Sequence, residues 1–369
     1  MANKRTYWAV EGLATGIHGT GPTGIATAQF CPGVQSVGIT TNFNLEQIFQ
    51  LGQLEIYQDL EEVPDVELTV ERTIDQYVLL YGRAMHHADA GDITISGDQN
   101  NQVDIFFAIA EDEDEAIGDD VEAYAYCSGM FCSSASFNFN TDGFFTESIS
   151  LVGNHKEWTT GVGAGTFPVN SPTSGPPASL NTGNVAKRQK FAFVGTVADA
   201  AVLACPAPVG NLTPTASNDT NTMAVNSISV SVDFGREEIN ILGKRQPYHR
   251  YVTFPVEVTC DIEAYVTDYD LMGINAKPEE DNTTEQPIRF GVFSIAAEHV
   301  GVGAGLRNHT FDLGIKNRLQ SATWNGVDTG GTNATITYSY RNFNKLDYQY
   351  KDSAAATADA GFNDPALLV

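Results

Sequence analysis

Residues 35–71 read QSVGITTNFNLEQIFQLGQLEIYQDLEEVPDVELTVE, and residues 226–261 read NSISVSVDFGREEINILGKRQPYHRYVTFPVEVTCD. With one gap at Asp65, 11 of 36 aligned pairs are identical, among them Phe43/Phe234, Glu46/Glu237, Ile48/Ile239, Leu51/Leu242, Gly52/Gly243, Tyr57/Tyr248 and Pro64/Pro255. Most other pairs swap like for like, as in Val37/Ile228 and Ile39/Val230. The offset is about 190 residues in a chain of 369, so the sequence reads as one unit written twice. Phe43 and Phe234 are expected at equivalent core positions. Gly52 and Gly243 are expected at equivalent turns or bulges. Tyr57/Tyr248 and Pro64/Pro255 complete the matched core and turn set.

Each copy opens and closes on alternating runs: Val37–Phe43 and Val66–Glu71 in the first, Ile228–Phe234 and Val256–Ile262 in the second. Ser136–Asn140 and Ala334–Tyr340 alternate in the same way. Period-two alternation with β-branched residues marks antiparallel strands with one face on a core and one on water. A short helix is expected near Ile74–Met85, where Ile74, Val78, Leu79 and Tyr81 line one face. The class is mainly β, with a first domain over 1–188 (N-terminal arm 1–34), a second over 189–350 and a flexible C-terminal tail over 351–369. Gly/Pro/Ser/Thr-rich stretches at 161–184 and 206–223 read as long loops. Two flanking matches extend the repeat: Tyr7–Val10 with Phe191–Val194, and Ala135–Phe139 with Ala334–Tyr338.

The chain has 46 Asp+Glu against 20 Lys+Arg, a formal charge of −26. Tight DNA binding needs Lys and Arg to displace counterions, so this balance argues against a sequence-specific DNA binder. No apolar run approaches the roughly 20 residues of a membrane span, and no secretory leader is expected at the N-terminus. Five scattered cysteines, Cys31, Cys127, Cys132, Cys205 and Cys260, read as buried free thiols rather than a disulfide framework.

No catalytic constellation emerges, and no metal or cofactor is expected. The acidic run Glu111–Glu122 lacks the ligand order of an EF-hand and reads as a solvated loop. Glu111, Asp112, Glu113, Asp114 and Glu115 are nonetheless candidates for a lumen or loop role. The glycine motifs at 19–24, 161–165 and 301–305 lack the following helix that a phosphate loop requires. His86-His87 with Asp89 and Asp92 has no third imidazole, and Cys127 and Cys132 have no second cysteine pair for zinc. No G-x-S-x-G elbow is present.

The string VQSVGITTNFNLEQIFQLGQLEIYQDLEEVPDVELTVERTID (34–75) resembles the opening of tail tube proteins from long-tailed bacteriophages. The resemblance rests on the order of parts: an alternating strand, EQIFQLG (46–52), LEIY (54–57), then VPDVELTVER (63–72) running into the candidate helix. Ser148–Asn154 after Asp142-Gly-Phe-Phe-Thr146 is similar to that family's closing hairpin. The resemblance implies tandem tail-tube-like β-sandwich domains with a short helix each. It further implies sheets that join side by side into a β-barrel ring, with rings stacked into a tube. A doubled subunit implies three chains per pseudo-sixfold ring. The implied partners are other copies, other tail proteins and genomic DNA passing through without tight binding, with no membrane. The implied location is the virion tail, after synthesis in the host cytoplasm. Two other readings stand beside it. One is a capsid decoration or other virion shell protein. The other is a β-sandwich carbohydrate-binding module or glycosidase, using an aromatic platform such as Trp158 or Trp324.

Overall fold

The structure is a computed structural model, and it describes residues 11–19, 21–86, 91–110, 121–160, 185–193, 224–244, 247–265, 285, 288–292, 306–326 and 333–353. The first half contributes β1 (Glu11–Ile17), β2 (Gln29–Phe30), β3 (Val34–Asn42), β4 (Leu45–Phe49), β5 (Ile56–Glu61), β6 (Asp65–Thr73), α1 (Leu80–His86), β7 (Gly91–Thr94), α2 (Ile95–Asp98), β8 (Val103–Ala110), β9 (Val121–Asn140), β10 (Thr146–Gly153) and β11 (His155–Thr160). The second contributes β12 (Phe191–Phe193), β13 (Ala224–Asp233), β14 (Glu237–Ile239), β15 (His249–Tyr251), β16 (Glu257–Tyr265), β17 (Arg289–Val292), β18 (Leu306–Asp312), β19 (Arg318–Asn325), β20 (Thr335–Phe343) and β21 (Asp347–Ser353). The chain is mainly β.

One path of paired strands runs β3-β6-β10-β9-β13-β16-β20-β19. Its first four strands come from the first half and its last four from the second. In each half the strand that opens the repeat pairs with the strand that closes it: β3 with β6 and β13 with β16. Between them lies a separate two-stranded hairpin, β4–β5 in one copy and β14–β15 in the other. A second, five-stranded sheet is ordered β12-β17-β18-β21-β7, while β1, β8 and β11 pair around the N-terminal part of the 20-residue β9.

The expected alternation is present strand by strand. In β6, Val66, Leu68 and Val70 are buried while Glu67, Thr69 and Glu71 are exposed. In β16, Val258, Cys260 and Ile262 face inward between Thr259, Asp261 and Glu263. One apolar cluster spans both halves. Its centre is an aromatic seam in which Phe137 and Phe139 of β9 meet Phe311 of β18 and Phe290 of β17, with ring centroids 4.8–5.5 Å apart.

Several expectations need correction. The helix begins six residues later than expected and covers Leu80–His86. The backbone of 74–79 is taken up by tertiary partners instead: Ile74 N–H by Phe145 O, Asp75 O by His309, Gln76 O by Tyr350, Val78 O by Arg72 and Leu79 N–H by Tyr348. Among the described residues both α-helices lie in the first half; residues 266–284, which follow the closing strand of the second half, fall outside them. The match of Ala135–Phe139 with Ala334–Tyr338 also fails. The first stretch lies on the fourth strand of its series and the second on the third strand, β20, of the other. Alternating runs of similar composition align by parity alone. The other flanking match begins at Tyr7–Val10, outside the described residues, as do Cys205 and the tail beyond Ser353.

Phe234 is fully buried as expected, but Phe43 is 54% exposed. The reason is positional. Phe234 follows β13, an interior strand, and its N–H donates to Ser133 O of β9 at 2.9 Å. Phe43 follows β3, which ends the strand path. Gly52 and Gly243 both take left-handed turn conformations, with φ of 89° and 85°. Tyr57 and Tyr248 are exposed to the same degree, and Pro64 and Pro255 each stand just before the closing strand.

Candidate functional site

The eight-stranded path presents one continuous outward face, and its chemistry follows from the alternation. Residues directly opposite in an antiparallel pair share a face, so the register can be read across the sheet. One row runs Ser36–Glu71–Ser148–Ser136–Ser231–Thr259–Arg341–Arg318. The next runs Gly38–Thr69–Ser150–Ser134–Asp233–Glu257–Phe343. Hydroxyls and carboxylates therefore dominate a face some eight strands wide. Hydroxyl and amide side chains bridge neighbouring strands: Ser231 to Thr259 at 2.6 Å, Ser229 to Asn138 at 2.9 Å and Ser150 to Glu67 at 3.1 Å. A shallow groove of about 700 Å³ lies where the two halves meet, lined by Thr69, Ser136, Ser148, Ser231, Asp233 and Thr259 among others. The acids of this face include Glu67, Glu71, Asp233, Glu257, Asp261 and Glu263. Of the two arginines in the first row, Arg341 is tied to Glu257. Such a surface repels polyanions and offers no basic stripe to hold them.

Besides the β7–β21 pairing and the shared apolar cluster, the halves are joined, among the described residues, at two further places. The first is the β9–β13 pairing, Asn140↔Ser227 to Ser134↔Asp233. Beside it the β14–β15 hairpin closes over β9. His249 packs edge-on against Phe131 at 5.0 Å, and Arg236 lies over the same ring at 4.8 Å. Arg236 also donates to Cys132 O and to Gln99 O, and Arg250 pairs with Asp65. Burial lowers the Arg236 pKa to about 10.

The second is the polar clamp on loop 74–79. His309 Nε2 donates to Asp75 O, which leaves Nδ1 to accept from the Tyr348 hydroxyl at 2.8 Å. Below it, Glu147 accepts from the N–H groups of Leu80 and Tyr81 at the start of α1, and Arg72 bonds Asp75 at 2.8 Å. Burial pushes the Asp75 and Glu147 carboxyls up, opposed in both cases by Arg72. The clamp is fully enclosed, so it holds the halves together and offers no access to a substrate.

Glu111, Asp112, Glu113, Asp114 and Glu115 lie outside the described residues, and so do the glycine motifs at 161–165 and 301–305. The motif at 19–24 leads into a 3₁₀ helix, Pro22–Thr27, in which Gly24 N–H already bonds Gly21 O. His86 bonds Asp98 at 2.7 Å, and Asp98 in turn accepts from Thr94 N–H, so this histidine buttresses α2; His87 and Asp89 are outside the described residues. Among the described residues no group of three or more His, Cys, Asp or Glu is placed to hold a metal ion. Cys31, Cys127, Cys132 and Cys260 are buried free thiols, and burial pushes Cys127 to about 11 and Cys132 to about 12. Trp158 on β11 and Trp324 on β19 are each about half-exposed, and the two strands do not pair among the described residues.

The signal of the hydroxyl and acid face is present in the sequence: Ser, Thr, Asp and Glu occupy a single parity in every alternating run except Val37–Phe43, where Thr41 breaks it. No helix among the described residues is long and apolar enough to cross a membrane. Neither a scan of known protein-family models nor a search of curated proteins finds a match to this chain.

Proposed function

We propose that this chain is a structural virion protein, a major tail tube subunit in which two tandem β-sandwich units assemble side by side into rings that stack around a DNA channel. The observation that carries this reading is the β9–β13 pairing, which continues one sheet from the first half into the second. Both halves order their strands alike, β3-β6-β10-β9 and β13-β16-β20-β19, as expected of two copies of one unit. A unit that joins its own duplicate edge to edge can join the next chain in the same way. Closure of such a series into a ring removes open edges. In this reading three chains make a pseudo-sixfold ring, and the acid and hydroxyl face lines the bore and lets a polyanion slide. The chain is then a scaffold and not an enzyme.

Negative-stain electron microscopy of the purified protein, concentrated at moderate salt, tests the reading. Hollow rings or tubes with three chains per layer are expected. Compact monomers under every assembly condition would overturn it, and six chains per layer would keep the tube and remove the pseudo-sixfold arrangement. A carbohydrate-binding module using Trp158 or Trp324, each about half-exposed, is the second reading; a glycan screen of the monomer addresses it.

A further inference from the structure

The strand path ends on β3 at one side and β19 at the other, and among the described residues each pairs with one neighbour only, β6 and β20 respectively. We propose that β3 of one copy of this chain pairs antiparallel with β19 of another, in the register that β13 makes with β9 inside the chain. The proposal deepens the tandem reading above and rests on it.

The register follows from two correspondences, both anchored on the sequence repeat. The sequence repeat equates β3 with β13, so Thr40 stands where Ser231 stands. The pairing of β9 with β10 and of β19 with β20 equates Ser136, opposite Ser148, with Ser321, opposite Ser339, since β10 and β20 hold the same places beside β6 and β16. Because Ser231 faces Ser136 and Ile228 faces Phe139, Thr40 is placed opposite Ser321 and Val37 opposite Trp324 of the neighbouring copy.

The exposures bear on the same conclusion. Phe234 is buried at the internal joint and Phe139 is 3% exposed, whereas their counterparts at the free edges, Phe43 and Trp324, are 54% and 45% exposed. Phe234 is covered beside the internal joint and Phe139 is enclosed by the rings of Phe145, Phe290 and Phe311, whereas the groups at the matching places on the two edges are open. Among the described residues the edges also lack the usual protection. β3 carries no charged residue and no proline, and β19 carries one charged residue, Arg318, at its start. Free edges are ordinarily blunted by charge, proline or cover, and an edge without them is a template for another strand. The occupant is a second copy because the complementary strand, in the matching direction and register, is already part of this chain.

The test uses the full-length chain with Thr40→Cys and Ser321→Cys, both on the hydroxyl face and away from the core, oxidised under mild conditions. Disulfide-linked dimers and trimers on non-reducing gels are expected. Each single variant, and the pair Thr40→Cys with Asn325→Cys placed four residues out of register, should give on the order of tenfold less. Equal cross-linking in and out of register would overturn the proposal. Trp324→Glu provides a second measure: at this half-exposed position the monomer should stay folded, with its thermal midpoint lowered by only a few degrees, while assembly is lost. Rings that form without the 40–321 cross-link would sink this joint and leave the tube reading standing. Cross-linked chains that never close into rings would uphold the joint and sink the ring.

Discussion

His309 Nε2 donates to the backbone carbonyl oxygen of Asp75 at 2.7 Å, across a sequence separation of 234 residues. The bond ties β18 of the second half to a loop of the first, and Tyr348 completes it by donating to His309 Nδ1 and accepting from Leu79 N–H at 3.2 Å. Tyr348→Phe removes one hydroxyl and strands two buried polar groups. An unsatisfied buried donor or acceptor costs about 1–3 kcal/mol. The variant should therefore lose stability of this order in urea unfolding, with its fold intact by circular dichroism. A change below a few tenths of a kcal/mol would show that the clamp does not hold the halves together.

Arg72 stands between two buried carboxylates, 2.8 Å from Asp75 and 3.7 Å from Glu147. Burial raises both carboxyl pKa values and Arg72 opposes the rise, so Arg72→Met should push both further up. A carboxyl whose folded pKa lies above its unfolded value binds its proton preferentially in the folded state. Its contribution to stability is present at low pH and is lost as pH rises through the folded pKa. The variant should lose about 3–5 kcal/mol at neutral pH and above, and its deficit relative to the parent should shrink on acidification. Urea unfolding of both proteins across pH checks this. A deficit that does not vary with pH would mean that the carboxyls titrate independently of Arg72.

Phe234 and Phe43 are identical in the repeat and differ in surroundings, which separates sequence from context. Phe234→Ala removes a fully buried ring and should cost about 3–5 kcal/mol. Phe43→Ala, at a half-exposed position, should cost the isolated chain well under about 1 kcal/mol, because little apolar area is uncovered. If Phe43→Ala destabilises the monomer as much as Phe234→Ala, its ring is covered within the chain and the edge argument loses its footing.

This pair also shows how far the sequence could be read. The repeat, the alternation and the glycine turns depend on local pattern, and Gly52 and Gly243 duly sit at matching left-handed turns. The apolar spacing of Ile74, Val78, Leu79 and Tyr81 favoured a helix through that segment. Local spacing carries no information about Glu147, His309 or Tyr348, distant residues that take up its backbone groups. The polar face spreads its acids singly over many strands, so no local run marks it as the dense cluster at 111–115 is marked. Which copy of the repeat would be interior and which would sit at an edge depends on the β9–β13 pairing, and no residue within either copy encodes it.

The two glycine turns offer a matched measurement. A Cβ added at Gly52 or Gly243 meets no atom within 4 Å, so the cost of Gly→Ala there comes from the backbone alone. A left-handed conformation costs a non-glycine residue about 1–2 kcal/mol. Gly52→Ala and Gly243→Ala should each weaken its hairpin by about this amount, and the double variant should be additive, since the turns lie on separate hairpins. Hydrogen exchange of the β4–β5 and β14–β15 amides reads the effect directly. Unequal protection losses would show that one hairpin is held by contacts the other lacks.

Assembly should strengthen with salt. The chain carries a formal charge of −26, and bringing copies together crowds like charges. Screening shortens their reach from about 10 Å at 0.1 M ionic strength to about 3 Å at 1 M. The edge strands owe little to ion pairs, since β3 has no charged residue, so salt removes repulsion without breaking the joint. Light scattering across ionic strength should therefore show a rising assembled fraction. Glu67→Gln together with Glu71→Gln, on the solvent face of β6, should lower the salt needed while leaving monomer stability within about 0.5 kcal/mol. Assemblies that dissolve as salt rises would mean that copies meet through ion pairs instead, and the β3–β19 joint would not be what holds them.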